Sequence, residues 1–305
     1  MNWDWRITLK GFAMGVADLV PGVSGGTIAF ISGIYDPLLE SLSALSGDGL
    51  GHLKRLHWKR AWEAINGPFL MALGLGIIMA IFTLAAPLHW LLANEPTLLR
   101  SFFMGLVVAS IPLVGKHIQN WRTDTWLWAL VGSAAAWWLT SLPPLVQTDH
   151  PMFLVLAGMV AICAMLLPGI SGSFVLLILG AYAPVLHALK EHVWGSIASF
   201  GMGALFGLLA FSRALKWLLT NRRRQTLSLL TGFLAGSLQA LWPWKIQVRE
   251  LYTHSDGRVE WLLRNSWPHH WNVELWSAVG LFIIGATVVT LLQRWGDRSA
   301  GRLHQ

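Results

Sequence analysis

Six long apolar runs constrain this chain more than any other feature of its sequence. Each is long enough, or nearly so, to cross about 30 Å of membrane hydrocarbon as a helix. Apolar residues make up 54% of the 305 residues and charged residues only 12%, a balance outside that of soluble domains. We therefore predict an all-α integral membrane protein, because helices satisfy their backbone hydrogen bonds internally in lipid. The predicted spans are 67–93, 98–115, 126–142, 195–212, 226–242 and 273–292.

The chain also contains an internal repeat. The segment PGVSGGTIAFISG at residues 21–33 recurs as PGISGSFVLLILG at 168–180, an offset of 147 positions. We predict two related halves, each made of one unusual element that carries this segment and three ordinary spans. Repeat one is expected at residues 1–148 with its unusual element at 9–45, and repeat two at 149–305 with its unusual element at 152–190.

The distribution of Lys and Arg indicates how the unusual elements lie in the membrane. If each element crossed the bilayer, the 22 basic residues would divide equally between the two faces. If each dips in and returns, sixteen of them lie on the side of the N-terminus, as expected for cytoplasmic loops. We therefore predict two re-entrant helical hairpins, each with a single returning helix, in an inverted repeat with both termini in the cytoplasm. Residues 9–20 agree, since about 18 Å of helix reaches the middle of the bilayer without crossing it.

Each hairpin is expected to turn at a Pro-Gly pair, either Pro21 and Gly22 or Pro168 and Gly169. These residues interrupt a helix, and a Ser that follows can cap the next helix through its hydroxyl. Uncovered amide groups at a helix N-terminus attract anions. The order Pro-Gly-aliphatic-Ser-Gly therefore favours anion binding, although small residues that only allow close packing of the hairpin tips are the alternative. The predicted anion-binding residues are Ser24, Gly25, Gly26, Thr27, Ser171, Gly172 and Ser173.

With these segments the sequence resembles a known membrane family. PGVSGGTIAFISGIYDPLL and LLPGISGSFVLLILGAYAPVL are similar to segments of the bacterial and archaeal family catalogued as domain of unknown function 368. The resemblance implies a polyprenyl-phosphate transporter that returns undecaprenyl phosphate across the bacterial cytoplasmic (inner) membrane for cell-envelope polymer synthesis. The residues alone indicate an anion-handling transporter with inverted repeats. Such a carrier would bind the phosphate headgroup at two facing helix N-termini and work by alternating access.

Three charged residues are further candidates. Arg100 and Arg213 lie near the ends of spans, where a guanidinium could bind phosphate or could instead extend to the membrane surface. Asp18 lies in the first hairpin, three residues before Pro21. An ionisable group inside a membrane element predicts a proton or sodium site for symport. The alternative is a carboxylate bonded to backbone amides at the hairpin tip.

Two other functions remain open from the residues. A small-anion channel or transporter could also use two facing helix N-termini. An intramembrane phosphatase acting on undecaprenyl pyrophosphate carries a similar Pro-Gly-x-Ser phrase, but there an Arg follows the Ser and a pair of glutamates precedes the phrase. In this chain Gly25 and Gly172 follow, and only Asp18 precedes. We therefore predict no enzyme activity.

The composition predicts neither a cofactor nor a metal. The single cysteine, Cys163, cannot form an internal disulfide or a cysteine-built metal site, and no Walker-type ATP-binding loop occurs. The net charge of +7 comes from short loops between spans and does not indicate nucleic acid. The expected partners are membrane lipid, polyprenyl phosphate and a proton or sodium ion. Residues 254–271 are expected to form a polar outer loop with an interfacial helix.

Overall fold

The computed structural model describes residues 4–20, 22–47, 57–143, 148–253, 259–268 and 271–300. Helices dominate these residues, and a two-stranded sheet accompanies them. The helices in chain order are α1 (Trp5–Asp18), α2 (Gly25–Ile31), α3 (Tyr35–Ser46), α4 (Trp58–Ala64), α5 (Gly67–Asn94), α6 (Pro96–Gly115), α7 (Thr123–Ser141), α8 (Pro151–Leu166), α9 (Gly172–Ile178), α10 (Tyr182–Lys190), α11 (Trp194–Asn221), α12 (Arg223–Ser237), a short 3-10 helix (Leu238–Leu241) and α13 (Val273–Ala300).

Both repeated segments interrupt a helix, as predicted. We call residues 21–25 the first motif and residues 168–172 the second motif. The helices α1 and α8 stop just before them. Gly22 and Gly169 have φ angles of +90° and +91°, a left-handed conformation that glycine adopts without the steric penalty of a side chain. Pro168 lies in the break between α8 and α9, and Pro21 lies outside the described residues.

The part of each hairpin that follows the motif consists of two helices. The prediction of a single returning helix is therefore wrong. The helices α2 and α3 are separated at Gly33, and α9 and α10 at Gly180, with φ angles of +72° and +69°. A left-handed glycine ends a helix by turning the chain out of the right-handed conformation. As a result α9 and α10 meet at a bend of 107°.

Helices form over all six predicted spans, but fewer than six have the length and composition of a membrane span. Four do so: α5, α6, α11 and residues 273–293 of α13. The bent pair α9–α10 passes the same test when its two helices are taken together, which gives up to five. Of the other two, α12 has 15 residues and begins with Arg223, while α7 has 19 residues with Asp124 in its first turn. The described part of the chain is a helical membrane protein with four to five candidate spans.

The helices pair in a pattern that is repeated in the two halves of the chain. The helix α1 packs along α5, and α8 packs along α11, so the first helix of each hairpin contacts the first long helix after it. The remaining helices pair between the halves, α6 with α13 and α7 with α12. Gly76 on α5 faces the Thr8 carbonyl of α1, and Gly203 on α11 faces the Val155 carbonyl of α8. A side chain at either glycine would overlap backbone atoms, so both crossings depend on a small residue.

A β-hairpin precedes α13. Strand β1 (Lys245–Thr253) pairs antiparallel with β2 (Val259–Asn265), with Lys245 opposite Asn265. The prediction of an interfacial helix within residues 254–271 is wrong for the described part of this segment. Its sequence VEWLLRN combines β-branched, aromatic and aliphatic residues that fit an extended strand. Residues 254–258 and 269–270 lie outside the described residues.

The main hydrophobic cluster packs the first motif against α12. Val20 and Val23, on either side of the left-handed Gly22, are completely buried. They belong to the same cluster as Leu234 of α12 and Leu241 of the 3-10 helix, which are also completely buried. This packing fixes the first hairpin tip in position.

Candidate functional site

The structure brings the tips of the two hairpins into direct contact, although more than 140 residues of chain separate the groups that meet. The Ser24 hydroxyl donates to the Leu167 carbonyl at 3.0 Å. In the other direction, the Gly169 amide donates to the Thr27 hydroxyl at 3.0 Å. Ser24 and Thr27 are completely buried. The tip of one hairpin is therefore joined to the tip of the other by hydrogen bonds in both directions.

The amide groups at the start of α2 already have partners. Ser24 is the N-cap residue, and its Oγ accepts a hydrogen bond from the Gly26 amide at 3.1 Å. The Gly25 amide donates to Asp18 Oδ1 at 2.7 Å, and the Thr27 amide donates to the Ser24 carbonyl at 3.0 Å. The carboxyl group of Asp18 therefore occupies the helix N-terminus at which the sequence predicted anion binding.

Asp18 is hydrogen-bonded through only one of its carboxylate oxygens. Oδ2 is buried and has no hydrogen-bond partner within the described residues. A Cβ on Gly25 would overlap Oδ2, so this close approach requires glycine. A buried and incompletely paired carboxylate is unfavourable, and a proton or cation on Oδ2 would relieve that penalty. Met165 occupies the corresponding position of the second half, so the two hairpins differ in this respect.

The polar groups of the second motif and of Ser173, which follows it, are less engaged. Ser171 occupies the N-cap position of α9, but its side chain makes no capping hydrogen bond. Its Oγ lies 2.8 Å from the Oγ of Ser173. Ser171 is buried, whereas Gly172 and Ser173 are partly exposed. The two motifs have similar sequences but different hydrogen-bond partners. In the first motif the Gly25 amide is bonded to the Asp18 carboxyl group, whereas at the second motif the Ser171 and Ser173 hydroxyls are bonded to each other.

The helix α12 and the 3-10 helix lie against both hairpin tips. A Cβ built on Gly169 would lie 3.0 Å from Ser237 Oγ at the end of α12. A Cβ built on Gly22 would lie 3.7 Å from the Ala240 Cβ in the 3-10 helix. Both left-handed turns therefore pack against one continuous stretch of chain, formed by the end of α12 and the 3-10 helix. This stretch connects the two hairpin tips a second time.

Two cationic side chains bind carbonyl groups at the end of this stretch and in the loop that follows it. Arg100 on α6 places Nη1 within 3.5 Å of the Pro243 carbonyl, and Lys245 Nζ donates to the Ala240 carbonyl at 2.8 Å. Burial, and after it the nearby charge of Arg100, lowers the pKa of Lys245 from its ordinary value of 10.5 to about 8. Within the described residues neither cation forms a salt bridge. Ala240, which accepts the hydrogen bond from Lys245, is also the residue whose Cβ a side chain at Gly22 would meet at 3.7 Å.

Arg213 lies at the opposite end of the first hairpin. Its Nη2 donates to the carbonyl of Ser46, the last residue of α3, at 2.8 Å. A cation at a helix C-terminus is favourable because the last carbonyl groups carry partial negative charge. Of the two predicted arginines, the structure brings Arg100 close to the tips and places Arg213 at the far end of α3.

Known proteins are similar to this chain over most of its length. A family model described as VCA0040-like, undecaprenyl phosphate translocase-like, matches residues 14–259. The chain belongs to this family. A polyprenyl-phosphate transporter of Vibrio cholerae is 40% identical over 296 residues, which cover 95% of this chain and 96% of the relative. A polyprenyl-phosphate transporter of Staphylococcus aureus is 34% identical over 261 residues, which cover 79% of this chain and 87% of the relative. No solved structure matches.

Two residues beside the tips of this translocase-like protein were not predicted from the sequence. The Tyr35 hydroxyl donates to the Leu166 carbonyl at 2.8 Å and adds a further bond between the hairpins. The recurrence of this tyrosine as Tyr182, at the offset of the repeat, was a signal in the sequence. From the sequence, Lys245 was only one of the six basic residues predicted to lie on the face opposite the N-terminus. Its position directly after Trp-Pro-Trp, a sequence typical of the membrane interface, was the signal in its case.

Proposed function

We propose that this chain transports polyprenyl phosphate and returns undecaprenyl phosphate from the outer to the inner leaflet of the bacterial cytoplasmic membrane. The observation that carries the proposal is the hydrogen-bonded contact between the two hairpin tips in a member of the translocase-like family. The names of the Vibrio cholerae and Staphylococcus aureus relatives support the same class of substrate. The proposed activity is transport, with no bond made or broken in the lipid.

The phosphate headgroup is proposed to pass between the hairpin tips while the isoprenoid tail stays in lipid. An isolated ionised group moved into hydrocarbon costs roughly tens of kcal/mol, so the carrier must replace the lost water with hydrogen-bond donors. The Ser171 and Ser173 hydroxyls and the Gly172 amide are the proposed first donors. The groups of the first motif join them when Asp18 withdraws from the start of α2.

We further propose that the two hairpins dip from opposite faces, with both termini in the cytoplasm. The repeated pairing of α1 with α5 and of α8 with α11 supports two structurally related halves. Inverted halves of this kind open a central site to one side of the membrane at a time. Asp18 is the proposed coupling group, since a proton or sodium ion on its unpartnered Oδ2 would offset the charge of the phosphate.

A leaflet-resolved assay with purified protein tests the proposal. Undecaprenyl phosphate is reconstituted into liposomes, and an impermeant phosphatase added outside measures the fraction of lipid that reaches the outer leaflet. We expect protein-free liposomes to release phosphate from the outer leaflet only, and liposomes with the protein to release nearly all of it. If both preparations stop at the same fraction, the proposed transport is wrong.

The other two functions give different results on the same protein. A small-anion channel would carry current across a planar bilayer, and a phosphatase would release inorganic phosphate from undecaprenyl pyrophosphate in detergent. For the proposed transporter we expect neither current nor phosphate release.

A further inference from the structure

The loop between the 3-10 helix and β1 has a fixed shape. The Trp242 indole Nε1 donates to the Ser266 carbonyl at 2.7 Å, and the Ser266 amide donates to the Trp244 carbonyl at 3.0 Å. The Trp242 ring also lies edge-on to the Trp267 ring, with centroids 5.2 Å apart. These contacts hold the loop from the side of β2. Three tryptophans packed around one loop are typical of the headgroup level of a membrane.

Arg100 and Lys245 approach this loop from different elements, α6 and β1, and each uses little of its hydrogen-bonding capacity. A guanidinium has five N–H donors and an ammonium has three. Within the described residues each side chain makes one hydrogen bond, Arg100 to Pro243 and Lys245 to Ala240. Both are partly buried, and no carboxylate of the described residues neutralises either. The arrangement holds two repelling cations with free donors, which an anion between them would stabilise.

We infer that Arg100 and Lys245 together bind the phosphate monoester headgroup of the lipid when it enters from the outer leaflet. This inference rests on the proposed function and assigns Lys245 a role in it. A phosphate monoester carries about −1.5 to −2 charges at neutral pH, which two cations match. The headgroup is a better fit than free phosphate because the site lies at the tryptophan-lined loop, where the phosphate of a membrane lipid is found.

The position of the pair also gives the headgroup a short route to the motifs. Lys245 is hydrogen-bonded to the Ala240 carbonyl, and a Cβ built on Gly22 at the first hairpin tip would lie 3.7 Å from the Ala240 Cβ. The 3-10 helix therefore leads from the loop that the two cations bind to the first hairpin tip. Transfer to Ser171 and Ser173 would then need movement of the headgroup around one tip.

Binding is tested first on substituted full-length protein in detergent. The probe is farnesyl phosphate, with farnesol and inorganic phosphate as the other two ligands, and affinity is measured by calorimetry. We expect Arg100→Gln and Lys245→Gln each to weaken binding of farnesyl phosphate by about tenfold or more, because a charge-assisted hydrogen bond is lost. The matched control is Lys190→Gln, an exposed lysine on the proposed outer face, which should leave the affinity unchanged. Arg100→Lys and Lys245→Arg, which keep the charge, should retain most of the affinity.

A second measurement needs no substitution. The lowered pKa leaves part of Lys245 uncharged near pH 8, so it reacts with an amine acetylating reagent. A bound phosphate favours the charged form, so farnesyl phosphate should protect Lys245 from acetylation, while Lys190 reacts equally with and without it. Peptide mass spectrometry gives the extent of reaction at each lysine.

The outcomes separate this inference from the proposed function. If Lys245 is not protected in the wild type, or if both glutamine variants bind farnesyl phosphate as tightly as the control, the inference is wrong, while leaflet transport by the wild type still supports the proposed function. If inorganic phosphate binds and protects as well as farnesyl phosphate, the site takes free phosphate and the assignment to the lipid is overturned. If the wild type neither binds nor moves the lipid phosphate, the proposed function itself fails.

Discussion

Asp18 and Ser24 both bind the start of α2, but only Asp18 can change its charge. The Gly25 amide is bonded to Asp18, and the Gly26 amide is bonded to Ser24. A carboxylate at a helix N-terminus is favourable because the uncovered amide groups carry partial positive charge. In the proposed mechanism the incoming phosphate would compete with Asp18 for these groups, and lipid binding would then be coupled to the protonation or movement of Asp18.

Asp18→Asn tests this coupling. The asparagine can keep the hydrogen bond from Gly25 through its side-chain oxygen, so we expect the free energy of unfolding to change by about 1 kcal/mol or less. The variant cannot ionise, so transport should no longer respond to an imposed proton or sodium gradient. Lipid transport in liposomes with and without each gradient is the measurement. A gradient response equal to that of the wild type would contradict the role proposed for Asp18.

Ser24 and Ser171 should differ in what their loss does to the protein. Ser24→Ala removes the cap of α2 and the bond to Leu167, and leaves buried groups unpaired, so we expect about 1–3 kcal/mol of lost stability. Ser171→Ala removes only the contact with Ser173 and should lower stability by about 1 kcal/mol or less while reducing transport. Thermal unfolding in detergent beside the transport assay gives both numbers. Equal destabilisation by the two substitutions would contradict the prediction that Ser24 contributes more to stability than Ser171.

At the scale of the helix, glycines determine how closely the helices approach. Gly203 on α11 faces the Val155 carbonyl of α8, whereas a methyl group added at Gly201, two residues away, would have no neighbouring atom within 4 Å. The two glycines lie on the same helix and differ in their neighbours. They form a matched pair for testing whether the crossing of α8 and α11 supports the second hairpin.

Gly203→Ala should destabilise the protein by about 1–3 kcal/mol, because an added methyl group overlaps backbone atoms and forces the helices apart. Gly201→Ala should be neutral or slightly stabilising, since alanine has the higher helix propensity. The midpoint of thermal unfolding in detergent measures both. A similar shift for the two variants would contradict the close crossing of α8 and α11.

The helices themselves were predictable from the sequence because long apolar runs leave few alternatives in a membrane. The helices α5, α6 and α11 include the predicted runs and extend beyond them by several residues at some ends. The break of each returning segment into two helices was not predicted. It depends on the left-handed conformation of Gly33 and Gly180 within continuous apolar sequence. The β-hairpin was also missed. Polar and apolar residues alternate in KIQVR at 245–249, which is the strand period, but the alternation ends after these five residues.

At the site, the sequence predicted where the motifs lie and left two interpretations of Asp18 open, an ion site and a carboxylate bonded to backbone amides at the hairpin tip. The structure shows such a bond, from the Gly25 amide. The repeat identified Ser24 and Ser171 as equivalent, and both occupy N-cap positions. That Asp18 fills the first site depends on a contact seven residues along the chain, which an alignment of the two halves does not show. Lys245 joins Arg100 only after α6 and β1 are brought together, so its place beside the tip required the tertiary structure.

At the scale of the whole molecule, the proposed transport depends on two hairpins that dip from opposite faces and meet at their tips. The contact between the tips is a feature of the structure, whereas the orientation follows from the distribution of Lys and Arg. If the second hairpin returns to its own face, residues before α8 and residues after α10 lie on the same side of the membrane. If it crosses, they lie on opposite sides.

Labelling of single cysteines decides between these arrangements most directly. In a Cys163→Ser background, cysteine replaces exposed Asp149 before α8, exposed Glu191 after α10, or exposed Asn221 at the end of α11 as an internal control. We expect an impermeant maleimide added to intact spheroplasts to label the cysteines at positions 149 and 191, and to label the one at 221 only after permeabilisation. Labelling of positions 149 and 191 from opposite sides of the membrane would contradict the re-entrant hairpin and the transport mechanism built on it.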